Sequence, residues 1–340
     1  MKTIRLGIIG TGRIADRAIP EIRAALDALK VNNDMEIKLI AAVNPNLCHA
    51  REFALKHEIE YAETDPDSLT ALVDAVYIAS PHISHYGYAL RMLEAGLHVI
   101  CEKPMAFNPK QVDELYDLAD RKNVILMEGI KTAYCPGFMQ IERVVDSGVI
   151  GNVTDVEAVF TRLIPYASEG VREYSDRAYG GAFTEFGSYT MLPIFRFLGT
   201  DCESVRYESI PADDSDPDSV DGYTKVSFDF DGRYATSKTG LTVKSEGQMV
   251  ISGTKGYILV PSPWWLTRYF EVRFEDPAKI ERYECEYAGD GLRYEFMEFA
   301  RRVCNVIDAG KPGSGSDNSI ESSEAKARAE IYERFLADRV

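Results

Sequence analysis

The feature that most constrains the fold is a regular alternation of two sequence patterns over residues 1 to about 130. Short runs rich in β-branched residues, such as TIRLGII, AVYIAS and HVICE, alternate with longer stretches whose apolar residues recur every three or four positions. Strands that alternate with helices are typical of a parallel sheet covered by helices. The first part of the chain is therefore predicted to be a doubly wound α/β domain.

The pattern changes after about residue 150. Runs such as YTKVSFDF, QMVISG and YFEVRF follow one another with short turns between them, which indicates an antiparallel sheet. A chain of 340 residues is also long for one core. We therefore predict an α/β protein with a Rossmann domain over residues 1–130 and an α+β domain with a large, open, mainly antiparallel sheet over residues 131–340.

Composition excludes several classes of partner. The net charge is −16, with 54 acidic against 38 basic residues, so the chain repels nucleic acid and anionic membrane surfaces. No apolar run approaches the ~20 residues of a membrane-spanning helix, and the first residues lack the pattern of a signal peptide. The six cysteines are scattered without metal-binding spacing. We therefore expect a cytoplasmic protein without a metal site.

The stretch IIGTGRIA, residues 8 to 15, joins the first predicted strand to the first helix. Gly10 allows a tight turn, Gly12 lets a pyrophosphate approach the backbone, and Ala15 is small where helix and strand pack. The helix start then presents N–H groups to the phosphates. We predict a dinucleotide site, the alternative being a purely structural turn. The predicted contacts at this turn are Gly10, Thr11, Gly12, Arg13 and Ile14.

The end of the second strand leaves the choice of cofactor open. This position usually carries Asp or Glu, which binds the ribose 2′-hydroxyl of NAD. Here the strand is followed by Asn44, which can hydrogen-bond a hydroxyl without repelling a phosphate. The predicted cofactor is therefore NAD or NADP.

Four segments occur together in the order of a known family: IIGTGRIA, SPHISHY at 80–86, CEKPMAF at 101–107 and GGAFTEFGSY at 180–189. Over nearly its whole length the sequence resembles the Gfo/Idh/MocA oxidoreductases, a family of NAD(P)-dependent dehydrogenases of sugars, cyclitols and related alcohols. The resemblance implies a Rossmann domain and an open-sheet domain through which the chain forms a homodimer or homotetramer. The tyrosine that ends the fourth segment is similar to the branch of dihydrodiol and xylose dehydrogenases.

The resemblance assigns Lys103, in the Glu-Lys-Pro step, to the reacting hydroxyl. Its ammonium group can stabilise an oxygen that gains negative character, or transfer a proton to it. The neighbouring Glu102 is placed at the cofactor. The loop SPHISHY places four residues at the nicotinamide half of the cofactor, namely Ser80, Pro81, His82 and His85. His82 stands where the family commonly has Asn, and we interpret it as a loop residue without a chemical task. For His85, lining of the cofactor cleft and capping of a helix start remain open.

The fourth segment departs from the common family pattern Asp-x-Gly-x-His. Glu185 and Tyr189 occupy the first and last positions, and positions i and i+4 share one face of a helix. The predicted catalytic set is therefore Lys103, Tyr189 and Glu185. The alternative is that this helix start only packs against other parts of the chain.

The substrate contacts are predicted by position in the family to be Arg162, Tyr166 and Arg172, although solvated charges explain the two arginines equally well. The predicted function is hydride transfer between NAD(P) and a sugar, polyol, cyclitol or cyclic diol. The alternative is a catalytically lapsed NAD(P)-binding sensor or assembly protein, which is supported by three departures from the family pattern: at His82, in the segment EGIKTAYCPG at 128–137 and in the fourth segment.

Overall fold

The computed structural model describes residues 2–33, 35–165, 171–216, 218–309 and 316–338. The strands, in chain order, are β1 (Lys2–Ile9), β2 (Met35–Val43), β3 (Tyr61–Glu63), β4 (Ala75–Ile78), β5 (His98–Glu102), β6 (Leu126–Gly129), β7 (Val153–Thr161), β8 (Ser204–Pro211), β9 (Asp221–Asp229), β10 (Tyr234–Gly240), β11 (Met249–Gly253), β12 (Tyr257–Val260), β13 (Tyr269–Arg273) and β14 (Ile280–Glu284). The helices are α1 (Arg13–Asn33), α2 (Leu47–Lys56), α3 (His85–Glu94), α4 (Pro109–Lys122), α5 (Pro136–Asp146), α6 (Arg172–Ser175), α7 (Ala182–Leu198), α8 (Leu292–Ala309) and α9 (Ser316–Asp338). Within these described ranges, no helix is both long and apolar enough to cross a membrane.

The chain divides into two compact units. One comprises Met1–Lys131 with Gly289–Ala329, and the other comprises Thr132–Ala288 with Glu330–Val340. The sequence-based division placed everything after residue 130 in the second domain, whereas α8 belongs to the first unit. Its packing on α1 explains the difference, because ion pairs of 2.6 Å join Arg293 to Glu21 and Arg17 to Asp290.

The first unit is built on a parallel sheet with the strand order β3-β2-β1-β4-β5-β6. Every residue of β4 and β5 is buried, as expected for strands covered by helices on both faces. The predicted doubly wound domain is thus confirmed. The strand β3 was not predicted, because its three residues are too few to show a strand pattern in the sequence. The order reverses between β1 and β4, and ligands of such sheets bind beyond the carboxyl ends of the strands at this point.

The second unit contains a sheet with the order β14-β13-β12-β11-β7-β10-β9-β8. All neighbouring pairs are antiparallel except β7 and β10, which are parallel because the chain crosses over between them. In β9, Thr224, Val226 and Phe228 are buried while the intervening residues are partly exposed. One face of the sheet packs on α7, which contacts β7 and β10. The predicted mainly antiparallel sheet is confirmed.

Candidate active site

The turn after β1 has the geometry of a phosphate-binding turn. Gly10 has a φ of +99°, and a Cβ on it would lie 2.6 Å from the carbonyl oxygen of Ala79, so a glycine is required there. A Cβ on Gly12 would meet no protein atom within 4 Å, which leaves room for a pyrophosphate. Because α1 begins at Arg13, its first N–H groups are available to an anion. The turn therefore fits a dinucleotide, and the predicted Thr11 and Ile14 lie in the turn and in the first turn of α1.

The residue that follows β2 is fixed against this turn. The side-chain amide of Asn44 donates to Thr11 Oγ1 at 2.7 Å, and the Asn46 N–H donates to Asn44 Oδ1 at 2.8 Å. None of residues 44–49 is acidic. The carboxylate that discriminates against a 2′-phosphate is therefore missing from this stretch.

The loop after β4 carries the residues predicted to line the cofactor. The Ser80 and Ser84 hydroxyl groups share a hydrogen bond of 2.7 Å, and Pro81 is exposed. The partly exposed ring of His82 lies with its centroid 6.1 Å from that of Phe107.

His85 has a structural role that the sequence did not indicate. Its side chain is completely buried, with Nδ1 2.8 Å from the carbonyl oxygen of Pro104 and Nε2 2.8 Å from that of Ser80. Only a ring protonated on both nitrogens makes both hydrogen bonds, because a carbonyl oxygen can only accept. Through these two contacts His85 joins the loop after β4 to the loop after β5, and its predicted contact with the cofactor stays a prediction.

Lys103 follows β5 directly and is only 7 % exposed. The loop that carries it is held from two sides, since His85 contacts the Pro104 carbonyl and Glu128 Oε1 accepts a hydrogen bond of 2.9 Å from the Met105 N–H. Glu128 was missed at the sequence level. Its signal was a carboxylate inside the otherwise apolar strand run VILMEG.

Glu102 is buried beside Lys103, and its side chain is hydrogen-bonded to a residue of the neighbouring strand β4. Its Oε1 accepts a hydrogen bond of 2.7 Å from the Tyr77 hydroxyl. Burial raises the pKa of the Glu102 carboxyl. Four weaker effects lower it without cancelling this rise; in decreasing order they are the charge of Lys103, the Tyr77 hydrogen bond, the charge of Lys131 and the Lys103 backbone N–H. The lysine therefore has a carboxyl group as its neighbour in an environment from which water is largely excluded.

In the second unit, Glu185 and Tyr189 occupy the partly open face of a buried helix. Between Ala182 and Phe195, the other α7 residues are buried. The helix start is fixed by Asp221, whose Oδ2 accepts a hydrogen bond of 2.8 Å from the Phe183 N–H. The structure thus places both predicted side chains on one face, one helical turn apart.

A stack of aromatic rings adjoins Tyr189 and was not predicted. Phe160 stacks on Trp265 at 3.7 Å and on Phe186 at 4.4 Å between ring centroids, and its ring lies 5.2 Å from that of Tyr189. Nothing local in the sequence joins Phe160 to Trp265, because they lie on separate elements more than a hundred residues apart. The rings form an apolar surface next to the polar groups of α7.

The predicted substrate residues are only partly covered by the structure. Arg162 is exposed directly after β7, and Arg172 is partly exposed at the start of α6. Tyr166 lies outside the described residues. The role of the two arginines as substrate contacts therefore stays a prediction.

Comparison with known proteins identifies the family. Residues 4–130 match the family model of an oxidoreductase family with an NAD-binding Rossmann fold. Residues 138–259 match the model of the GFO/IDH/MocA C-terminal domain. A trans-1,2-dihydrobenzene-1,2-diol dehydrogenase of Danio rerio is 27 % identical, with 93 % of each chain covered. A scyllo-inositol 2-dehydrogenase (NADP(+)) of Bacillus subtilis is 27 % identical over 94 % of this chain and 91 % of that one.

Among solved structures, a 3-ketoreductase from Actinomadura kijaniata in complex with NADP and TDP-benzene has the same fold. Its TM-score is 0.78 at 23 % identity, with 98 % of this chain and 96 % of that chain covered. Together with the two matching family domains, this agreement over the full length leaves one assignment. The chain belongs to the Gfo/Idh/MocA family of NAD(P)-dependent oxidoreductases.

Proposed function

We propose that this oxidoreductase transfers a hydride between NAD(P) and a carbon that carries a hydroxyl group in a sugar, polyol, cyclitol or cyclic diol. The relatives named as a diol dehydrogenase and an inositol dehydrogenase act on this class of alcohol, which supports the substrate class. In this proposal the residues up to about 130 bind the cofactor, and the domain from 131 onward contacts the substrate.

The observation that carries the proposal is the fixed position of Lys103. It follows the carboxyl end of a parallel strand, where ligands of doubly wound sheets bind. His85 and Glu128 hold the backbone of the next two residues. Such buried supports restrict the motion of the lysine, and a preorganised cation stabilises a developing negative charge more effectively than a mobile one.

The cofactor and the chain divide the chemistry. Bound NAD(P) supplies the hydride acceptor or donor. The backbone N–H groups around Gly12 and Arg13 bind its phosphates, and the Ser80 and Pro81 loop and Asn44 orient it. Lys103 holds the substrate oxygen and exchanges a proton with it, and Tyr189 and Glu185 orient the substrate or assist that proton transfer.

The division of work between Lys103 and Tyr189 is testable by substitution. The initial experiment is cofactor reduction on a panel of sugars, polyols, cyclitols and cyclic diols with both NAD and NADP. With the best substrate, Lys103→Met should lower kcat by roughly 10²–10⁴-fold, the usual contribution of an acid/base group. Tyr189→Phe should cost less. The exposed Lys110 on α4 is the matched control, and Lys110→Met should leave kcat within about twofold.

Two outcomes would change the proposal. If Tyr189→Phe abolishes turnover while Lys103→Met keeps kcat within about tenfold, the tyrosine is the principal acid/base. Cofactor binding without turnover of any panel member would instead support a lapsed enzyme that acts as a sensor or assembly protein. Structures of two variants of the 3-ketoreductase have also been solved, one with a lysine replaced by alanine and one with a tyrosine replaced by phenylalanine. Lysine and tyrosine are also the residue types proposed here for the acid/base role.

We also propose Arg162 and Arg172 as substrate contacts, together with Tyr166. The exposed Arg162 follows Phe160 by two residues, and the aromatic stack on Phe160 offers an apolar surface for the C–H face of a ring. Arg162→Ala and Arg172→Ala should raise KM more than they lower kcat if the arginines bind substrate equally in its ground and transition states. An unchanged KM in both variants rejects this part.

We further propose a cytoplasmic homodimer or homotetramer formed through the second sheet. Register places Tyr234, Tyr257 and Tyr269 on the sheet face opposite the one that packs on α7, and Tyr234 is 55 % exposed. The six free cysteines favour a reducing compartment. Light scattering at micromolar concentration tests the assembly, and a monomeric mass rejects it.

A further inference from the structure

Four buried ionisable side chains of the first unit interact electrostatically, and we call them the buried charge cluster. Its members are Glu102, Lys103, Lys131 and Glu295, with exposed fractions of 6, 7, 8 and 0 %. Glu295 lies in the first turn of α8. The next residue, Phe296, packs edge-on against Tyr77 with 5.0 Å between the ring centroids, and the Tyr77 hydroxyl donates to Glu102. This contact fixes α8 against the end of β5.

The two carboxyl groups of the cluster differ in their partners. Glu102 accepts hydrogen bonds from the Tyr77 hydroxyl and the Lys103 backbone N–H. Among the described residues, neither oxygen of Glu295 has a hydrogen-bond partner. An ionised carboxylate that is buried without hydrogen bonds is strongly disfavoured, whereas a protonated carboxyl group loses much less on burial. The α8 N-terminus favours an anion only weakly by comparison.

On balance, the charges around Glu295 also raise the pKa of its carboxyl group. Burial raises the pKa of the Glu295 carboxyl well above its usual range, and the charge of Glu102 raises it further. Lys131 lowers this pKa, and Asp290 raises it. The Lys131 ammonium donates to the Asp290 backbone carbonyl, and the Asp290 carboxylate is itself paired with Arg17 at 2.6 Å.

We propose that Glu295 is a positioning residue that retains its proton at neutral pH and therefore adds no negative charge beside Lys103 and Lys131. A neutral carboxyl group at this position weakens the positive charge at Lys103 less than an ionised one would, and this favours a negatively charged substrate oxygen. This consequence rests on the proposed role of Lys103, whereas the proton on Glu295 does not depend on it.

Urea unfolding as a function of pH tests the proton directly. In the wild type, Glu295 is protonated when folded and, above its ordinary pKa of ~4.3, ionised when unfolded, so its stabilisation decreases as the pH rises. Glu295→Gln is a neutral isostere without this dependence. The wild-type unfolding constant divided by that of the variant should therefore rise about tenfold per pH unit from about pH 5 to 7. A ratio independent of pH overturns the inference.

A matched control is Glu21, which is also buried in the first unit but pairs with Arg293 through hydrogen bonds of 2.6 and 3.1 Å. Glu21→Gln should show no comparable rise. Should Glu295→Gln fail to fold, infrared spectroscopy of the wild type decides the question. A carbonyl band of a protonated carboxyl group at neutral pH is expected, and its absence overturns the inference.

The functional part is read from the pH dependence of kcat with the best panel substrate. Ionisation of Glu295 at alkaline pH adds a negative charge beside Lys103 and Lys131 in the wild type but cannot occur in Glu295→Gln. The kcat ratio of variant to wild type should therefore rise with pH, and a constant ratio overturns the positioning role. If the proton signature is present but Lys103→Met retains kcat, the proposed role of Lys103 fails while the protonation of Glu295 stands.

Discussion

The stability of the first unit should depend on the neutral state of His98, the first residue of β5. Its Nδ1 accepts a hydrogen bond of 2.9 Å from the Ile125 N–H, which requires an unprotonated nitrogen. Burial lowers the pKa of His98 from 6.5 to about 4, although the charge of Asp74 opposes this shift. We therefore choose His98→Asn, because the asparagine Oδ1 lies the same number of bonds from Cα as the Nδ1 and cannot take up a proton near neutral pH.

The magnitude follows from proton linkage. Above pH 6.5 the His98 ring is neutral in both the folded and the unfolded chain, so the stability that depends on the neutral ring is fully present. As the pH falls from 6.5 to 4, the unfolded chain binds a proton that the folded chain does not, and stability is lost. The shift from 6.5 to about 4, at 1.36 kcal/mol per unit, corresponds to about 3 kcal/mol of unfolding free energy.

Urea denaturation of both proteins at several pH values between 7 and 4 measures this difference. Between those limits the wild type should lose about 3 kcal/mol more than His98→Asn. His49, which is exposed on α2, provides the control, and His49→Asn should follow the wild-type curve. Parallel curves for the wild type and His98→Asn would refute the reasoning.

Three further substitutions test other parts of the first unit. Gly12→Val should weaken NAD(P)H binding at least tenfold in fluorescence titration, because the added side chain occupies the open space beside the turn. The unfolding free energy should change by less than about 1 kcal/mol, and an unchanged affinity would contradict the assignment of this turn to the phosphates. Asn44→Asp should lower NADPH affinity relative to NADH by about tenfold or more, because a carboxylate repels the 2′-phosphate, and an unchanged ratio shows that position 44 does not face the ribose. Arg328→Met should cost about 3–5 kcal/mol in urea denaturation, because it leaves Glu128, 2.7 Å away, and Glu324 buried without their cation; a loss under 1 kcal/mol contradicts a fully buried pair.

Much of the fold and the first half of the site could be predicted because their signals are local. The alternation of strand and helix periods predicted the parallel sheet, and Gly10 marked a backbone conformation and a close approach that only glycine permits. The spacing of Glu185 and Tyr189 predicted a shared helix face, which α7 has. Each inference used residues within one or two turns of each other, where covalent geometry determines the relative positions.

The tertiary structure decided what depends on distant contacts. It places α8 in the first unit, buries Glu295 completely and stacks Phe160 on Trp265. It also shows that His85 supports the loop that carries Lys103. A sequence pattern shows which residues are apolar or ionisable, but burial and hydrogen-bond partners depend on which segments pack together. For that reason the sequence could propose Lys103 as a candidate, whereas the buried Glu295 and the carbonyl contacts that hold the lysine loop became visible only in the folded chain.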